Sequence, residues 1–300
     1  MTIRVLVCDR ITDEGVKVLE EKGYEVTKAW SVPKTQLPTM VSDYDVLIVR
    51  SATKVTADLM MAAKKLKVIG RAGEGLDNID LKKAVELHIE VVNTPHVAAV
   101  SVAELTMAHL LALARGIVEG TVSLREGKWI KEDLMGVEVN GKTLGIVGCG
   151  SIGKTVERLS LALGMKVVGV DMCVYGKFIT LEEMLPQADF VTVHVPLTPH
   201  TRHMIGAKEF AMMKDGVMLV DCSRGGVVDE DALYDALVSG KVKAAALDVF
   251  EVEPPKNSKL LSLKNVHATP HIGAQTWEAQ EKSSVLVAER VIAALEKSMS

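Results

Sequence analysis

Cysteine, excess positive charge and long apolar runs are all scarce in this sequence. The four cysteines lie far apart and form no Cys-x-x-Cys pair, which is typical of a protein from the reducing cytoplasm. Because 35 Lys and Arg residues are balanced by 39 Asp and Glu residues, the net charge of −4 provides no basic field for nucleic acid or an anionic membrane. The longest apolar stretch, 97–118, is interrupted by Glu104, His109 and Arg115, so it predicts a buried helix and not a membrane span.

Aromatic residues are also scarce, at 4%, but the other proportions are ordinary. Hydrophobic residues make up 48% and charged residues 25%, which excludes a disordered or collagen-like chain. A chain of 300 residues can bury enough surface to be stable without disulfide bonds, and its length favours two domains. Arg4 and Asp9 interrupt the apolar N-terminal run, unlike a signal peptide. These properties predict a cytoplasmic two-domain protein with no nucleic-acid or membrane partner.

Short β-branched runs alternate with helical patterns along almost the whole chain. Helix starts are marked by capping-box spacing at Ser101 and Thr180 and by Asp80 and Asp229 as N-caps. Ten runs predict strands: 3–8, 46–50, 68–71, 89–93, 144–147, 167–170, 190–195, 217–221, 244–249 and 265–268. Because these runs are mostly continuous and separated by helices, they predict an α/β protein with two doubly wound parallel-sheet domains. We expect the hinge between the domains at helix 101–116 and the polar stretch that follows it.

A glycine motif directly follows the predicted strand 144–147. Gly148, Gly150 and Gly153 have the spacing Gly-x-Gly-x-x-Gly at the start of a helical pattern. In a dinucleotide-binding turn, the first glycine allows the tight turn and the second lets the backbone approach the pyrophosphate. The third permits close packing of helix and strand, and the helix N-terminus presents N–H groups to the phosphates. The motif alone is a weak signal, but the strand–turn–helix–strand context strengthens it.

Asp171 ends the next predicted strand, near the spacing expected for an acid that binds the ribose. Its carboxylate can accept hydrogen bonds from both ribose hydroxyls and would repel a 2′-phosphate. Met172 and Cys173 follow it, with no arginine, so the sequence favours NAD over NADP. A structural glycine-rich turn with an exposed Asp171 is the alternative.

Three polar residues, Arg224, Glu253 and His271, each follow the end of a different predicted strand. Ligands of open α/β sheets bind beyond the carboxyl ends of the strands. Hydride transfer from a hydroxy acid needs a base for the hydroxyl proton, a cation for the carboxylate and a partner that fixes the tautomer of the base. His271 can be the base, Arg224 can be the cation, and Glu253 can be the partner that fixes the tautomer.

Each of these residues also has an ordinary structural explanation. His271 could be a solvated loop residue, and Glu253 could be an exposed turn residue. Arg224 could form an ion pair with Asp221 or Asp229. Taken together beside a nucleotide motif, the three residues favour the catalytic interpretation.

The remaining histidines and cysteines near these strand ends are interpreted as structural. His267 has i, i+4 spacing to His271, as in a metal pair, but Pro270 prevents a helix there, so no metal site is predicted. His194 is interpreted as a packed residue at a strand end. Cys149 and Cys222 have no obvious base beside them and are interpreted as small packing residues.

Collinear motifs cover essentially the whole chain: 47–56, 70–73, 76–80, 140–153, 223–230, 246–255 and 270–274. With these motifs the sequence resembles the D-2-hydroxyacid dehydrogenase family, and within it the phosphoglycerate dehydrogenases. The resemblance implies a flavodoxin-like substrate-binding domain of residues 1–95 and 275–300 and a Rossmann NAD-binding domain of residues 96–274. It also implies a homodimer formed through the NAD-binding domain.

The resemblance also implies roles for individual residues. Arg224, Glu253 and His271 would be catalytic. NAD would be bound by Gly148, Gly150, Ser151, Ile152, Gly153, Asp171, Pro196, Cys222, Asp248 and Gly273. The substrate, a small 2-hydroxy acid, would be bound by Arg50, Ser51, Arg71, Gly75 and Arg224.

Arg50 and Arg71 bear on the identity of the substrate. Phosphoglycerate dehydrogenases use arginines at these two positions, so the resemblance implies oxidation of D-3-phosphoglycerate to 3-phosphohydroxypyruvate, which enters serine synthesis. The structural alternative is that these arginines form ion pairs with Asp45 or Asp77. The chain ends at Ser300, so no C-terminal regulatory domain is expected.

Three departures from the family pattern keep other functions open. Glu74 adds a carboxylate beside the expected anionic ligand, the loop 96–100 lacks the usual polar residues, and Asp221 replaces the usual Asn. A glyoxylate or hydroxypyruvate reductase on the same scaffold is one alternative. An NADH-sensing binding protein, similar to the C-terminal binding corepressors, is another.

Overall fold

The chain divides into two units, each built around its own parallel sheet. The computed structural model describes residues 2–170 and 179–299. Unit 1 contains Met1–Ala98 and Gln275–Ser300, and unit 2 contains Ala99–Ala274. Compared with the predicted division, the first boundary lies three residues further along the chain, and the second lies at the same position.

Unit 1 has the strand order of the flavodoxin fold. Its strands are β1 (Arg4–Val7), β2 (Glu25–Lys28), β3 (Val46–Val49), β4 (Val68–Arg71) and β5 (Glu90–Asn93). Its helices are α1 (Asp13–Glu21), α2 (Leu37–Met40), α3 (Ala57–Ala62), α4 (Leu81–Glu86) and, from the far end of the chain, α11 (Trp277–Met299). Within the described residues the five strands are all parallel, in the order β2-β1-β3-β4-β5.

Unit 2 carries the second doubly wound sheet. Its strands are β6 (Thr143–Val147), β7 (Lys166–Val170), β8 (Phe190–Val193), β9 (Val217–Asp221), β10 (Val242–Leu247) and β11 (Val266–Ala268). Its helices are α5 (Ala99–Arg115), α6 (Ile117–Arg125), α7 (Ser151–Ala162), α8 (Leu181–Met184), α9 (Ala207–Met212) and α10 (Glu230–Val238). In the described ranges the strands are all parallel, in the order β11-β10-β9-β8-β6-β7. The predicted α/β class with two parallel sheets is confirmed.

Both faces of the sheet in unit 1 are covered, as its continuous apolar strands predict. Leu6 packs on one face, whereas Val5 and Val7 pack on the other, because successive side chains of a strand point in opposite directions. Val287 and Val291 of α11 are fully buried on the second face. The last helix therefore completes the core of the sheet at the start of the chain.

Most predicted elements are present, with end points shifted by one or two residues. Strand β2 was not predicted, because its sequence Glu-Val-Thr-Lys is polar and lies at an edge of the sheet. The N-caps at Asp80 and Asp229 and the capping box at Thr180 are confirmed. The predicted cap at Ser101 is wrong, because α5 begins at Ala99 and buries Ser101 within its first turn.

The segment after α5 also differs from its prediction. The stretch expected to be a polar connection contains α6, and the chain turns between the two helices at Gly116, which has a left-handed backbone (φ 59°). Within the described residues no single helix is long and apolar enough to span a membrane. Together α5 and α6 meet that test by length and composition, but they are bent by 67°.

Candidate active site

The glycine motif forms the turn between β6 and α7. Gly148 has a left-handed backbone (φ 96°), and a Cβ there would meet the carbonyl oxygen of His194 at 2.5 Å. A Cβ at Gly153 would overlap the carbonyl oxygen of Gly148, so the close packing of α7 on the turn requires glycine. At Gly150, in contrast, a Cβ would meet no described protein atom within 4 Å. The turn is therefore closed where the protein packs on itself and open where a pyrophosphate would approach, which fits a dinucleotide.

The start of α7 adds the groups that bind phosphate. Gly150 is the N-cap of α7, and Ser151 and Ile152 are its first residues. The first N–H groups of a helix have no acceptor within the helix and lie at the positive end of its dipole, which favours a phosphate there. Asp171, predicted to bind the ribose, lies outside the described residues.

The other predicted cofactor contacts lie at the same edge of the sheet. Pro196, Cys222, Asp248 and Gly273 follow β8, β9, β10 and β11, which are consecutive in the sheet. Burial raises the pKa of the Cys222 thiol, so this residue packs and is not a nucleophile. Because the carboxyl ends of parallel strands meet at one edge, these residues and the glycine turn face the same side of the sheet.

His194 is a packed residue, as interpreted from the sequence. Its Nε2 lies 3.0 Å from the hydroxyl of Thr192, and burial lowers the pKa of the ring to about 3. The imidazole is therefore neutral at physiological pH. The backbone carbonyl of His194 packs against Gly148 and closes the glycine turn there.

Glu253 and His271 meet directly. Nδ1 of His271 lies 3.0 and 2.9 Å from the two carboxylate oxygens of Glu253. Because an ionised carboxylate can only accept, Nδ1 carries the proton and Nε2 is the basic nitrogen. About 40% of each side chain is exposed to solvent. The pair has the geometry of a base whose tautomer is fixed by an acid.

Charge around Glu253 keeps it ionised. Burial acts to raise the pKa of Glu253, but the hydrogen bond from His271, the N–H of Phe250 and the nearby Arg224 together lower it below its ordinary value. Arg224 follows β9, and its Nη1 donates a hydrogen bond of 2.8 Å to the carbonyl of Ser223. Arg224, Glu253 and His271, predicted from three separate strand ends, therefore form one electrostatic group in unit 2.

Asp248 holds the loop that presents His271. Its Oδ1 accepts hydrogen bonds from the hydroxyl of Thr269 (2.6 Å) and the N–H of Ile272 (2.8 Å), and its Oδ2 accepts one from the N–H of Gly273 (2.8 Å). Asp248 is buried, and His271 between these anchors has a left-handed backbone (φ 53°). We call residues 269–273 the histidine loop. Asp248 was predicted only as a cofactor contact, and its place as the anchor of this loop was missed.

A buried histidine continues this network. Nε2 of His109 on α5 lies 3.1 Å from the hydroxyl oxygen of Thr269. Since that hydroxyl donates to Asp248, Nε2–H of His109 is the donor. Burial lowers the pKa of His109, although Asp248 opposes this effect, so the ring is neutral at pH 7. Sequence reasoning missed His109, whose position inside an apolar helix was the only available signal.

His267 and His271 do not form a metal pair. Nε2 of His267 lies 2.9 Å from Oε1 of Glu119 on α6, whereas His271 contacts Glu253. Among the described residues, no group of three or more His, Cys, Asp or Glu side chains could hold a metal ion. Each of these two histidines is paired with a different carboxylate, His267 with Glu119 and His271 with Glu253.

Four of the five predicted substrate residues lie in unit 1, whereas Arg224 belongs to unit 2. Arg50 and Ser51 follow β3, and Arg71 ends the neighbouring strand β4, with Gly75 in the loop after it. The guanidinium of Arg71 lies over Gly73, where a Cβ would overlap Nη1. The alternative pairing of Arg50 with Asp45 is not observed, because Asp45 binds Lys67 at 3.3 Å and the N–H of Arg4.

Arg50 lines a cavity of about 600 Å³ within unit 1. The guanidinium donates to the carbonyl of Arg10 (3.4 Å) and to Oε1 of Gln275 (3.3 Å). Burial lowers the pKa of Arg50, while Asp9 opposes that effect. The remaining lining residues are Ile11, Thr12, Asp13, Glu14, Trp30, Thr276, Trp277, Gln280 and Glu281. The cavity is large enough for a small organic acid, and its wall contains two arginines, Arg10 and Arg50, and three carboxylates, Asp13, Glu14 and Glu281.

Glu74, the departure next to Gly75, is engaged within unit 1. Its Oε2 accepts a hydrogen bond from the N–H of His96 (3.3 Å), and its Oε1 lies 3.8 Å from Nδ1 of the same residue. Asn93 donates to the Glu74 carbonyl. The extra carboxylate therefore binds His96.

Comparison with known proteins agrees with this geometry. Residues 107–273 match the model of the D-isomer specific 2-hydroxyacid dehydrogenase NAD binding domain. The chain is 49% identical over 296 residues to a hydroxypyruvate reductase of Thermotoga maritima, covering 96% of this chain and 97% of that protein. The chain belongs to the D-isomer specific 2-hydroxyacid dehydrogenase family. The resemblance read from the sequence motifs is thereby confirmed.

Two further similar proteins widen the comparison. A D-3-phosphoglycerate dehydrogenase of Methanocaldococcus jannaschii is 48% identical over 298 residues. That alignment covers 96% of this chain and 57% of the relative, so the chain spans little more than half of that relative's length. The solved structure of the TT0316 protein of Thermus thermophilus superposes with a TM-score of 0.91 at 38% identity, over 98% of this chain and 97% of that chain.

Proposed function

We propose that this protein oxidises D-3-phosphoglycerate to 3-phosphohydroxypyruvate with NAD, the first step toward serine. The observation that carries the proposal is Arg50, whose guanidinium lines the unit 1 cavity together with Arg10. Guanidinium groups bind phosphate through two parallel hydrogen bonds, so Arg50 and Arg10 suit a phosphorylated acid, although Asp13, Glu14 and Glu281 also line the cavity. Relatives named D-3-phosphoglycerate dehydrogenase, at 43–48% identity, support the same substrate.

The residues of unit 2 provide the chemistry of the reaction. His271 takes the hydroxyl proton at Nε2, because Nδ1 is held by Glu253. Arg224 binds the carboxylate and, in the reverse direction, polarises the keto oxygen. Gly148, Gly150 and the start of α7 would hold the pyrophosphate of NAD, whose nicotinamide supplies or accepts the hydride when bound.

A second function, reduction of hydroxypyruvate or glyoxylate, is favoured by one observation. The hydroxypyruvate reductase of T. maritima is matched over nearly its whole length at 49% identity. Its named substrate lacks the phosphate, so this function needs no phosphate contact from Arg50. The two functions therefore differ in whether Arg50 binds a phosphate group of the substrate.

The exposed apolar surface of unit 2 supports the homodimer. Helix α6 and the segment after it expose Ile117, Val118, Val122, Leu124, Trp129 and Met135, at 41–83% of their surfaces. A set of large apolar side chains in one segment is typical of a protein interface. We propose a second copy of this chain as its occupant. Sedimentation equilibrium tests it, and a monomer at micromolar concentration would contradict it.

Replacement of Arg50 tests the substrate. In Arg50→Leu, kcat/KM for D-3-phosphoglycerate should fall about 100-fold, the loss of one or two charge-assisted hydrogen bonds, whereas kcat/KM for D-glycerate should change little. Arg158→Leu, on the exposed face of α7, is the matched control and should leave both values unchanged. Equal losses of kcat/KM for both substrates in Arg50→Leu would favour the reductase. An absence of turnover by the wild-type protein, alongside tight NADH binding, would favour an NADH-sensing protein.

A further inference from the structure

Asp9 lies where two strands of the unit 1 sheet end side by side. It follows β1, and Arg50 follows the neighbouring strand β3. Its Oδ2 accepts hydrogen bonds from the N–H groups of Arg50 (2.7 Å) and Thr53 (3.0 Å). Its Oδ1 accepts one from the hydroxyl of Thr53 (2.7 Å). One buried carboxylate therefore binds both ends of residues 50–53, which we call the arginine loop.

Asn78 completes the attachment from the other side. Its Nδ2 donates to the carbonyls of Arg50 (2.7 Å) and Thr53 (2.6 Å). The N–H and C=O groups of both end residues of the arginine loop are thus bound by two side chains. Between these ends, Ser51 and Ala52 are exposed. The loop is fixed at its base and open at its tip.

Lys34 balances the charge of Asp9. Its ammonium lies 2.7 Å from Oδ1 and also donates to the carbonyl of Cys8. Burial acts to raise the pKa of Asp9, but the hydrogen bonds from Lys34, Arg50 and Thr53 lower it below its ordinary value, so the carboxylate is ionised. Because Asp9 and Lys34 neutralise each other, the positive charge of Arg50 remains available to an anionic ligand.

We propose that Asp9, with Thr53 and Asn78, is a positioning residue that holds the arginine loop in the geometry that binds the anionic end of the substrate. The proposal rests on the proposed function of Arg50. It assigns to Asp9 a role in substrate affinity, through the backbone of Arg50. No contact between Asp9 and the substrate is required.

An electrostatic role and a positioning role of Asp9 predict opposite changes in KM for the Asp9→Asn variant. The substitution removes a negative charge near the binding site of an anion, so a purely electrostatic role would lower KM. A positioning role predicts the reverse, because an amide can accept at only one atom and must lose part of the attachment. The direction of the change in KM therefore separates the two roles.

Thr53 provides a test that changes no charge. Thr53→Val has nearly the same shape but loses the hydroxyl that donates to Asp9, whereas Thr53→Ser keeps it. KM for D-3-phosphoglycerate should rise about tenfold in Asp9→Asn and severalfold in Thr53→Val, with wild-type KM in Thr53→Ser. The value of kcat and the Kd for NADH should change less than twofold in all three, because the catalytic residues and the glycine turn belong to unit 2.

The steady-state kinetics of the full chain decide the outcome, with Arg50→Leu measured in the same series. A raised KM in Asp9→Asn and Thr53→Val, restored in Thr53→Ser, supports the proposal. An unchanged or lowered KM in Asp9→Asn, or equal effects of Val and Ser at position 53, overturns it. If Arg50→Leu itself leaves KM unchanged, the proposed function of Arg50 fails instead. A thermal melt of each variant separates loss of folding from loss of affinity, and Thr53→Val carries the test if Asp9→Asn does not fold.

Discussion

The two loops that carry the candidate functional residues are anchored in the same way but for different tasks. The arginine loop is attached to Asp9 at the end of β1, and the histidine loop is attached to Asp248 at the end of β10. In each loop a threonine hydroxyl donates to Oδ1 of the aspartate, Thr53 at 2.7 Å and Thr269 at 2.6 Å. In both sheets, a buried carboxylate after one strand fixes the loop after the neighbouring strand.

The surroundings of the two aspartates differ. Asp9 is paired with the ammonium of Lys34, whereas the hydrogen bonds to Asp248 come from a hydroxyl and two backbone N–H groups. Neutral donors leave Asp248 as a net negative charge beside the histidine loop, while Lys34 cancels the charge beside the arginine loop. This difference suits a loop that carries a base in one unit and a loop that binds an anion in the other.

The largest expected effect concerns the residue that the histidine loop presents. His271→Gln removes the base but keeps a hydrogen-bonding side chain, so kcat should fall about 1,000-fold or more. The Kd for NADH, measured by fluorescence titration, should stay within about threefold of the wild type. A kcat within tenfold of the wild type would exclude His271 as the base. The histidine loop would then have no catalytic task to compare with that of the arginine loop.

A third buried aspartate, Asp221, lies at a strand end and has no ammonium partner among the described residues. The pH dependence of stability tests the effect of this difference. Asp221, the last residue of β9, accepts two hydrogen bonds from Ser223, and burial raises its pKa to about 6, with Asp248 adding to the shift. An acid with a raised pKa in the folded state binds its proton more tightly there, so its ionisation reduces stability as pH rises from about 4 to about 6.

Asp221→Asn keeps the acceptor and removes the charge, so it should stabilise the protein at pH 8 by up to about 3 kcal/mol and have little effect at pH 4. Urea unfolding at both pH values measures this. Asp235→Asn, on the exposed side of α10, is the control and should change neither value appreciably. A variant less stable than the wild type at pH 8 would contradict the direction of the pKa shift.

The smallest expected effect tests whether the histidine loop and the arginine loop have separate tasks. Thr269→Val removes the hydroxyl between His109 and Asp248, so the histidine loop should lose part of its order and kcat should fall about tenfold. KM for D-3-phosphoglycerate should stay within about twofold, the reverse of the pattern expected for Thr53→Val. Thr269→Ser should restore kcat. If both threonine variants alter the same kinetic constant, the two loops do not have separate tasks.

Much of this site could be predicted from local sequence. Continuous apolar runs located ten of the eleven strands described, and the rule that ligands bind at strand ends selected Arg224, Glu253 and His271. The same rule pointed equally to Asp9, which directly follows an apolar run, but in sequence it is indistinguishable from any polar turn residue. Its partner Thr53 is more than 40 residues away, and the parallel pairing of β1 and β3 brings the two together.

Where prediction failed, tertiary packing overrode a local signal. Ser101 has the spacing of a capping box, yet α5 starts two residues earlier and buries it. The polar strand β2 has no apolar run and exists because β1 offers an edge to pair with. His109 acquires its role only through Thr269, 160 residues later in the chain.

The most direct test of the account is the substrate preference of the wild-type protein. Steady-state rates of NAD reduction with D-3-phosphoglycerate and with D-glycerate, under the same conditions, give the ratio of the two kcat/KM values. Arg50, in the wall of the unit 1 cavity, predicts a ratio of about 100 or more in favour of the phosphorylated acid. A ratio near one would contradict the account.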